Sequence, residues 1–245
     1  MPEPTSPAYR ALRAAAVDEV DPGGPEAAPA IAATVVLARD AEGGPEVLMI
    51  ERPDRGSFAG AWVFPGGKLD PGDRAAADEP EERVARRAGV RETREETGLV
   101  VDATGMATHS VWTPPPGARP SIRTWFFVAP APADETLALA ADEAVSAAWT
   151  RPADVLERHA RGELILYPPT WVTLHEFAGQ ASVDDLLALS RLGGVRLFES
   201  RARRGPHGRV MLWAEDAEYD EAGAAGTARH RLTAGDVPWT YERSL

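Results

Sequence analysis

The sequence has no cysteine among its 245 residues, and Lys68 is its only lysine. The absence of cysteine excludes disulfide bonds, thiolate zinc sites and a cysteine nucleophile. A bound metal ion must therefore take its ligands from carboxylate, histidine or backbone oxygen groups. Hard oxygen ligands suit Mg²⁺ or Mn²⁺, so one of these ions is the expected cofactor of a metal-dependent reaction.

Long apolar runs are also missing. No stretch approaches the ~20 apolar residues that a membrane-spanning helix needs, and the N-terminus shows no secretory signal pattern. The formal net charge is −12, which argues against a nucleic-acid-binding surface because such surfaces are normally basic. It does not exclude a small phosphate substrate, since a bound metal ion reverses the local field. We therefore expect a cytoplasmic protein that binds a small molecule, with no nucleic acid and no membrane among its partners.

The order of the predicted elements indicates an α+β protein with a mixed β-sheet, because strands dominate the first half and one long helix interrupts them. That helix runs from Pro80 to Thr97, with Asp78 or Glu79 as its N-cap and Gly98 as its C-cap. The predicted strands before it are Ala32–Ala38, Pro45–Ile50 and Ala61–Phe64. The predicted strands after it are Leu99–Asp102, Thr108–Trp112, Ser121–Ala129 and Val145–Thr150. Three helices then follow at Pro152–Arg161, Thr170–Ala178 and Val183–Leu192, with β-like pieces at Val195–Glu199, Val210–Ala214, Arg229–Thr233 and Trp239–Glu242.

Three glutamates on the long helix carry the strongest chemical signal. Glu92, Glu95 and Glu96 stand at positions i, i+3 and i+4, so they fall within about 100° of one helical face. Carboxylates this close repel one another unless they are well solvated or a cation lies among them. A Mg²⁺ ion accepts one or two carboxylates together with water and phosphate oxygens.

The stretch around these glutamates resembles the second half of the Nudix box. The matching positions are Arg91, Glu92, Glu95, Glu96, Gly98 and Leu99, and Thr93 replaces the usual aliphatic residue. The first half of the box departs further, because Asp73 stands where the family has glutamate and seventeen residues, not seven, separate it from Arg91. The ten additional residues are an insertion centred on Arg74–Glu82. Asp73 is then either a shortened outer acid, or the outer role is lost.

The resemblance implies a Nudix hydrolase, a metal-dependent enzyme that cuts a diphosphate linkage. It implies a sheet sandwiched between helices (α/β/α) over residues 26–193, preceded by a flexible arm (1–25) and followed by a small β-rich extension (194–245) that packs on the domain. The implied metal ligands are Glu92, Glu95, Glu96 and Asp73. Arg91 would orient a neighbouring acid, and Gly66 and Gly67 would let the backbone approach the phosphates. Glu143, just before a late strand, would be a fourth ligand or the general base.

A second resemblance is to the CoA-diphosphatase branch of this family. It is carried by Val47–Arg52, by Gly56–Gly60, by Val63–Gly67 and by the Leu166–Pro169 turn. Arg52 and Arg55 match the basic entry motif of that branch loosely and would contact phosphate. The resemblance favours CoA or acyl-CoA as substrate. Hydrolysis of ADP-ribose, dinucleotides or oxidised nucleotides stays open, as do a non-catalytic nucleotide-binding regulator and a homodimeric state.

Overall fold

The computed structural model describes residues 28–55, 58–133 and 135–244, so the predicted N-terminal arm lies outside the described residues. An eight-stranded mixed sheet forms the centre. Its strands are β1 (Ala30–Arg39), β2 (Glu46–Glu51), β3 (Trp62–Val63), β4 (Gly66–Lys68), β5 (Ala107–Thr113), β6 (Ile122–Pro130), β7 (Ser146–Thr150) and β8 (Arg196–Glu199). The order is β3-β2-β1-β6-β5-β8, and β4 and β7 pair with β1 and β2. The pairs β1–β6 and β5–β8 are parallel, and the other pairs are antiparallel.

Helices cover both faces of this sheet. They are α1 (Glu81–Thr97), α2 (Pro152–Ala160), α3 (Pro168–Phe177) and α4 (Val183–Leu192). Alternate residues of a strand point to opposite faces, and β1 follows this rule: Val35 packs into the core beneath α1, whereas Val36 packs into the core shared with the other three helices. The expected α/β/α arrangement is therefore confirmed. No helix in the described part of the chain is long and apolar enough to cross a membrane.

A separate antiparallel sheet follows at the C-terminal end. Its strands are β9 (Arg201–Gly205), β10 (Gly208–Leu212), β11 (Arg229–Thr233) and β12 (Thr240–Ser244), in the order β12-β11-β10-β9. Trp213, directly after β10, is fully buried and meets Trp112 of β5 edge to face at 5.6 Å, while Phe198 of β8 stacks on Trp112 at 3.8 Å. The two sheets thus share one hydrophobic core. The division after residue 193 stays a prediction, and β8 lies in the central sheet although it follows that position.

Several local predictions differ from the structure. The segment Leu99–Asp102 forms no strand: Leu99 and Val101 are buried in the core beneath α1, but their backbone joins no ladder. Strands β4 and β9 and a 3-10 turn at Pro71–Asp73 were not predicted. Helix α3 begins at Pro168, two residues earlier than expected, because proline fits the first turn of a helix.

The ends of α1 differ in how well the sequence predicted them. Gly98 closes the helix in the left-handed conformation (φ 79°), as expected. The N-cap is Pro80 with no side-chain bond, so the assignment of Asp78 or Glu79 as cap is wrong. The Glu79 carboxylate instead pairs with Arg87, about two turns into the helix, and accepts the amide N–H of Ala75. The inserted loop is therefore tied to the side of α1 and not to its end.

Candidate active site

Helix α1 places two carboxylates against the glycine-rich strand β4. The Gly66 amide donates a 2.8 Å hydrogen bond to Oε2 of Glu96, whose side chain is only 1% exposed. The Glu92 carboxyl packs so closely on Gly67 that a Cβ atom there would overlap it. A Cβ atom on Gly66 would likewise overlap the backbone oxygen of Ala33. Gly66 is therefore required by packing against the backbone, whereas a side chain at position 67 would displace the Glu92 carboxyl.

Arg91 connects Asp73 with the glutamates. Its Nη1 donates to Glu92 Oε1 and to Glu95 Oε2, each at 2.8 Å, and its Nη2 donates to the Lys68 carbonyl at 3.0 Å. Its remaining bonds go to both carboxylate oxygens of Asp73. Asp73 is buried and also accepts the Asp70 amide. Burial alone would raise the pKa of Asp73, but the bonds from Arg91 and from the Asp70 amide outweigh it and hold the pKa below its usual range.

Glu143 reaches the site on the loop between β6 and β7. Backbone bonds hold this loop in place: the Ala138 amide donates to the Thr97 carbonyl at 2.8 Å and the Ala140 amide donates to the Glu96 carbonyl at 3.1 Å. The Glu143 side chain is exposed, yet its charge is near enough to act on both Glu92 and Glu96. The loop is thus bonded to the last turn of the helix that carries the other acids.

Burial raises the pKa of two of these acids, Glu92 and Glu96. Desolvation raises the pKa of Glu96 to about 8, and the charges of Glu143 and Glu92 add to this rise, while the Gly66 amide and Arg52 oppose it. Desolvation is also the largest cause that raises the pKa of Glu92. The site therefore carries more negative charge than its surroundings stabilise.

This donor set fits a hard divalent cation, because oxygen ligands with excess negative charge are what Mg²⁺ and Mn²⁺ prefer. Glu92, Glu96 and Glu143 are the acids whose charges act on one another, and Glu95 lies one turn from Glu92. Within the described residues, no three acidic or histidine side chains already stand close enough to hold an ion. Arginine nitrogens donate to one carboxylate oxygen each of Glu92, Glu95 and Glu96, so ligation through those oxygens would require the side chains to shift.

The two arginines of the entry segment lie in different settings. Arg52 Nη1 donates to Glu96 Oε1 at 3.3 Å, which places it directly at the acids. Arg55 is largely exposed and pairs with the almost fully exposed Asp142 at 3.1 Å. Exposed pairs of this kind contribute little stability. The structure thus brings Arg52, but not Arg55, into contact with the box acids.

A cleft of about 300 Å³ opens beside Arg52. Its walls include Trp62, Val145, Leu164 and Ile165. The Arg158 guanidinium lies 5.4 Å from the centre of the Trp62 ring, so one face of this tryptophan is already covered. The local sequence around Trp62 contains no signal of the cleft. The cause is a contact between distant segments: the Trp62 amide donates to the Ile165 carbonyl at 2.9 Å.

The fold and the site together define a diphosphate-cleaving enzyme of the Nudix type. The NUDIX domain model matches residues 28–168, which is more than half of the chain. The chain therefore belongs to the NUDIX family. It is a hydrolase of nucleoside diphosphates linked to another moiety.

Several solved structures are similar to this chain. A NUDIX hydrolase from Alicyclobacillus acidocaldarius is 22% identical, with a TM-score of 0.60, and the match covers 69% of this chain and 100% of that one. A MutT NUDIX hydrolase from Burkholderia pseudomallei is 24% identical over 61% and 98% of the two chains, with a TM-score of 0.46. The NUDIX domain of Shewanella oneidensis NrtR, solved with ADP ribose, is 19% identical over 63% and 91%, with a TM-score of 0.46. Among curated proteins, none matches the chain.

Proposed function

We propose that this hydrolase cleaves the diphosphate of CoA or of a short acyl-CoA with Mg²⁺ or Mn²⁺ at Glu92, Glu95 and Glu96. The reaction type is supported by one observation: Glu92, Glu96 and Glu143 lie close together beside the glycines of β4. A nucleotide-binding regulator without catalysis is disfavoured, because all three helix glutamates of the box are retained.

In the proposed reaction, each residue of the site has its own role. A bound cation supplies charge neutralisation on the phosphates and activation of the attacking water. Glu143, exposed at the rim, accepts the proton of that water. Arg91 holds Glu92 and Glu95 in place through its Nη1 bonds. Asp73, whose two oxygens already bind Arg91 and Asp70, fixes Arg91 and stays outside the ligand set.

The preference for CoA is supported by the meeting of two segments that resemble the CoA-diphosphatase branch. The entry segment and the Leu166–Pro169 turn lie far apart in sequence. Here Ala61 forms a parallel bridge with Ile165, and the rings of Phe58 and Tyr167 meet edge to face at 4.6 Å. Gly60 of the entry segment, together with Leu164 and Ile165 just before the turn, lines the cleft next to Arg52, where an elongated substrate would leave the metal site.

A substrate panel tests this proposal. CoA, acetyl-CoA, dephospho-CoA, ADP-ribose, NADH, diadenosine polyphosphates and oxidised nucleotides would be incubated with Mg²⁺ or Mn²⁺ and the products identified by mass. We expect 3′,5′-ADP and phosphopantetheine, or its acyl form, from CoA species. If another nucleotide has a far higher kcat/KM than every CoA species, CoA is not the substrate, and the metal-dependent mechanism still stands.

The role of Arg52 and Arg55 is tested by the same panel. Arginine makes two-pronged bonds to phosphate. If the two arginines bind the 3′-phosphate, the change of both to alanine raises KM for CoA more than KM for dephospho-CoA. If Arg52 binds the diphosphate alone, both KM values rise together and Arg55→Ala has little effect.

A further inference from the structure

Arg52 lies between the acids and the cleft. It follows β2 directly, and its amide donates to the Ala61 carbonyl at 2.9 Å, so its backbone is fixed. Its guanidinium reaches Glu96 Oε1 with Nη1 and also lines the cleft beside Trp62. The side chain is 28% exposed, whereas Glu96 is 1% exposed. One residue therefore contacts both the buried acid and the space where the substrate would lie.

The present position of this guanidinium leaves a donor unused. Its Nε is buried, and no partner for it exists in the described part of the chain. Buried donors without a partner are uncommon in folded proteins, since the lost bond to water is not replaced. A diphosphate offers several acceptor oxygens that match the planar donor array of arginine. The cluster is thus better satisfied with an anionic ligand present.

Glu96 has one oxygen for which a cation must compete. Oε2 already accepts the Gly66 amide, and Oε1 accepts Arg52. A divalent cation at Oε1 would stand close to the positive guanidinium, and like charges at this range repel appreciably in a partly buried site. Arg52 and the cation therefore compete for this oxygen.

We propose that Arg52 is a movable counter-ion, which neutralises Glu96 in the absence of a divalent cation and transfers to the diphosphate of the substrate when Glu96 takes up the cation. This inference rests on the proposed metal site at Glu96. Arg52 then couples metal binding to substrate binding: its departure from Glu96 makes room for the ion and supplies a cation for the leaving phosphate. It acts as a binding residue for the substrate and as a competitor for the metal.

The test measures two affinities that should change in opposite directions. Mn²⁺ binding is measured by electron paramagnetic resonance at pH 8.5 and low ionic strength, without nucleotide, for the wild type, Arg52→Met and Arg52→Lys. Binding of α,β-methylene-ADP is measured calorimetrically with saturating Mn²⁺. Arg151→Met is the matched control, because Arg151 is an exposed arginine that pairs with Asp154 and does not line the cleft. Thermal unfolding checks that each variant is folded.

We expect Arg52→Met to bind Mn²⁺ about tenfold more tightly and the nucleotide about tenfold more weakly, with Arg151→Met unchanged. Arg52→Lys keeps the charge, so its Mn²⁺ affinity should stay near that of the wild type. If Arg52→Met does not fold, Arg52→Gln, which also removes the charge, is measured in its place with the same expectation. Unchanged or weaker Mn²⁺ binding in Arg52→Met overturns the inference. Glu96→Gln separates the two claims: if Mn²⁺ binds this variant as it binds the wild type, the proposed metal site fails as well.

Discussion

The guanidinium of Arg91 forms a two-pronged ion pair with Asp73, with Nε to Oδ1 at 3.0 Å and Nη2 to Oδ2 at 2.9 Å. The two residues are 18 positions apart and on opposite sides of the inserted loop. Bidentate pairs of this type fix orientation as well as distance. Asp73 thereby directs the remaining nitrogen of Arg91 toward Glu92 and Glu95.

The first prediction concerns this pair. Asp73→Asn keeps the shape of the side chain but removes the charge that holds Arg91, so Glu92 and Glu95 lose their fixed partner. We expect the activity to fall about 10- to 100-fold, which is usual when the support of a metal ligand is lost. The measurement is kcat/KM against Mn²⁺ concentration. A loss as large as that of Glu96→Gln would instead indicate that Asp73 binds the metal directly.

The second prediction concerns the acids themselves. Glu95→Gln and Glu96→Gln should each lower kcat by orders of magnitude, because a neutral amide is a poor ligand for a hard cation. The fold should persist, since Glu95 is half-exposed and an amide oxygen at position 96 can still accept the Gly66 amide. Circular dichroism and thermal unfolding provide the check on folding. Near-normal metal-dependent turnover in either variant would show that the assigned site is wrong.

The sequence predicted most of the central fold for identifiable reasons. The hairpin β1–β2, the long helix and its end at Gly98 follow from local periodicity and from a glycine that can adopt positive φ. Leu99–Asp102 was misassigned because alternating burial also occurs in an extended segment without a partner strand. Strand β4 was missed because glycines carry no strand signal, and it forms only because β1 lies beside it.

The site was predictable where its residues are close in sequence. Glu92, Glu95, Glu96 and Arg91 share one helix, so spacing alone groups them. The contact between Arg52 and Glu96 spans 44 residues and has no local signature. The cleft depends on the pairing of Ala61 with Ile165, which only the folded chain shows.

The third prediction concerns the inserted loop. Replacement of Ala75–Asp78 by two glycines should leave a folded protein, since a change in loop length costs little entropy. Glu79 must be kept, because its carboxylate pairs with Arg87 and so holds the loop to α1. The matched variant Glu79→Ala should lower the melting temperature more than the shortened loop does. If the shortened loop lowers the melting temperature more than Glu79→Ala does, residues 75–78 themselves stabilise the fold.

The fourth prediction concerns pH and His159. This histidine is buried on α2 against Trp239, its Nδ1 has no partner in the described structure, and burial lowers its pKa to about 4. Because the unfolded chain takes up the proton first, the stability that His159 contributes is complete above about pH 6.5 and is lost as the pH falls toward 4.

Denaturant unfolding at pH 7.5 and pH 5 measures this effect. Between pH 7.5 and pH 5, the free energy of unfolding of the wild type should fall by about 2 kcal/mol more than that of His159→Gln, because glutamine cannot take up a proton at this position. Equal losses in the two proteins would mean that His159 is not kept neutral by its surroundings.

The fifth prediction concerns the shared core. Trp213→Ala should destabilise the whole protein by about 3–5 kcal/mol, because the indole is fully buried against Trp112 and Phe198. Since the core is continuous, unfolding should remain one transition by both fluorescence and circular dichroism. Two separate transitions would show that the C-terminal sheet folds as an independent unit.

Main-chain hydrogen bonds from Ala138 and Ala140 hold the loop that carries Glu143 to α1. A peptide N–H is the same whatever side chain it bears, so most substitutions at these two positions would leave the bonds intact, and only proline would remove a donor. Homologous proteins could therefore differ freely in this stretch and still present their acid at the same point. The backbone of this loop would keep the same geometry while its side chains varied. Sequence conservation in the loop would therefore be a poor guide to how Glu143 is positioned.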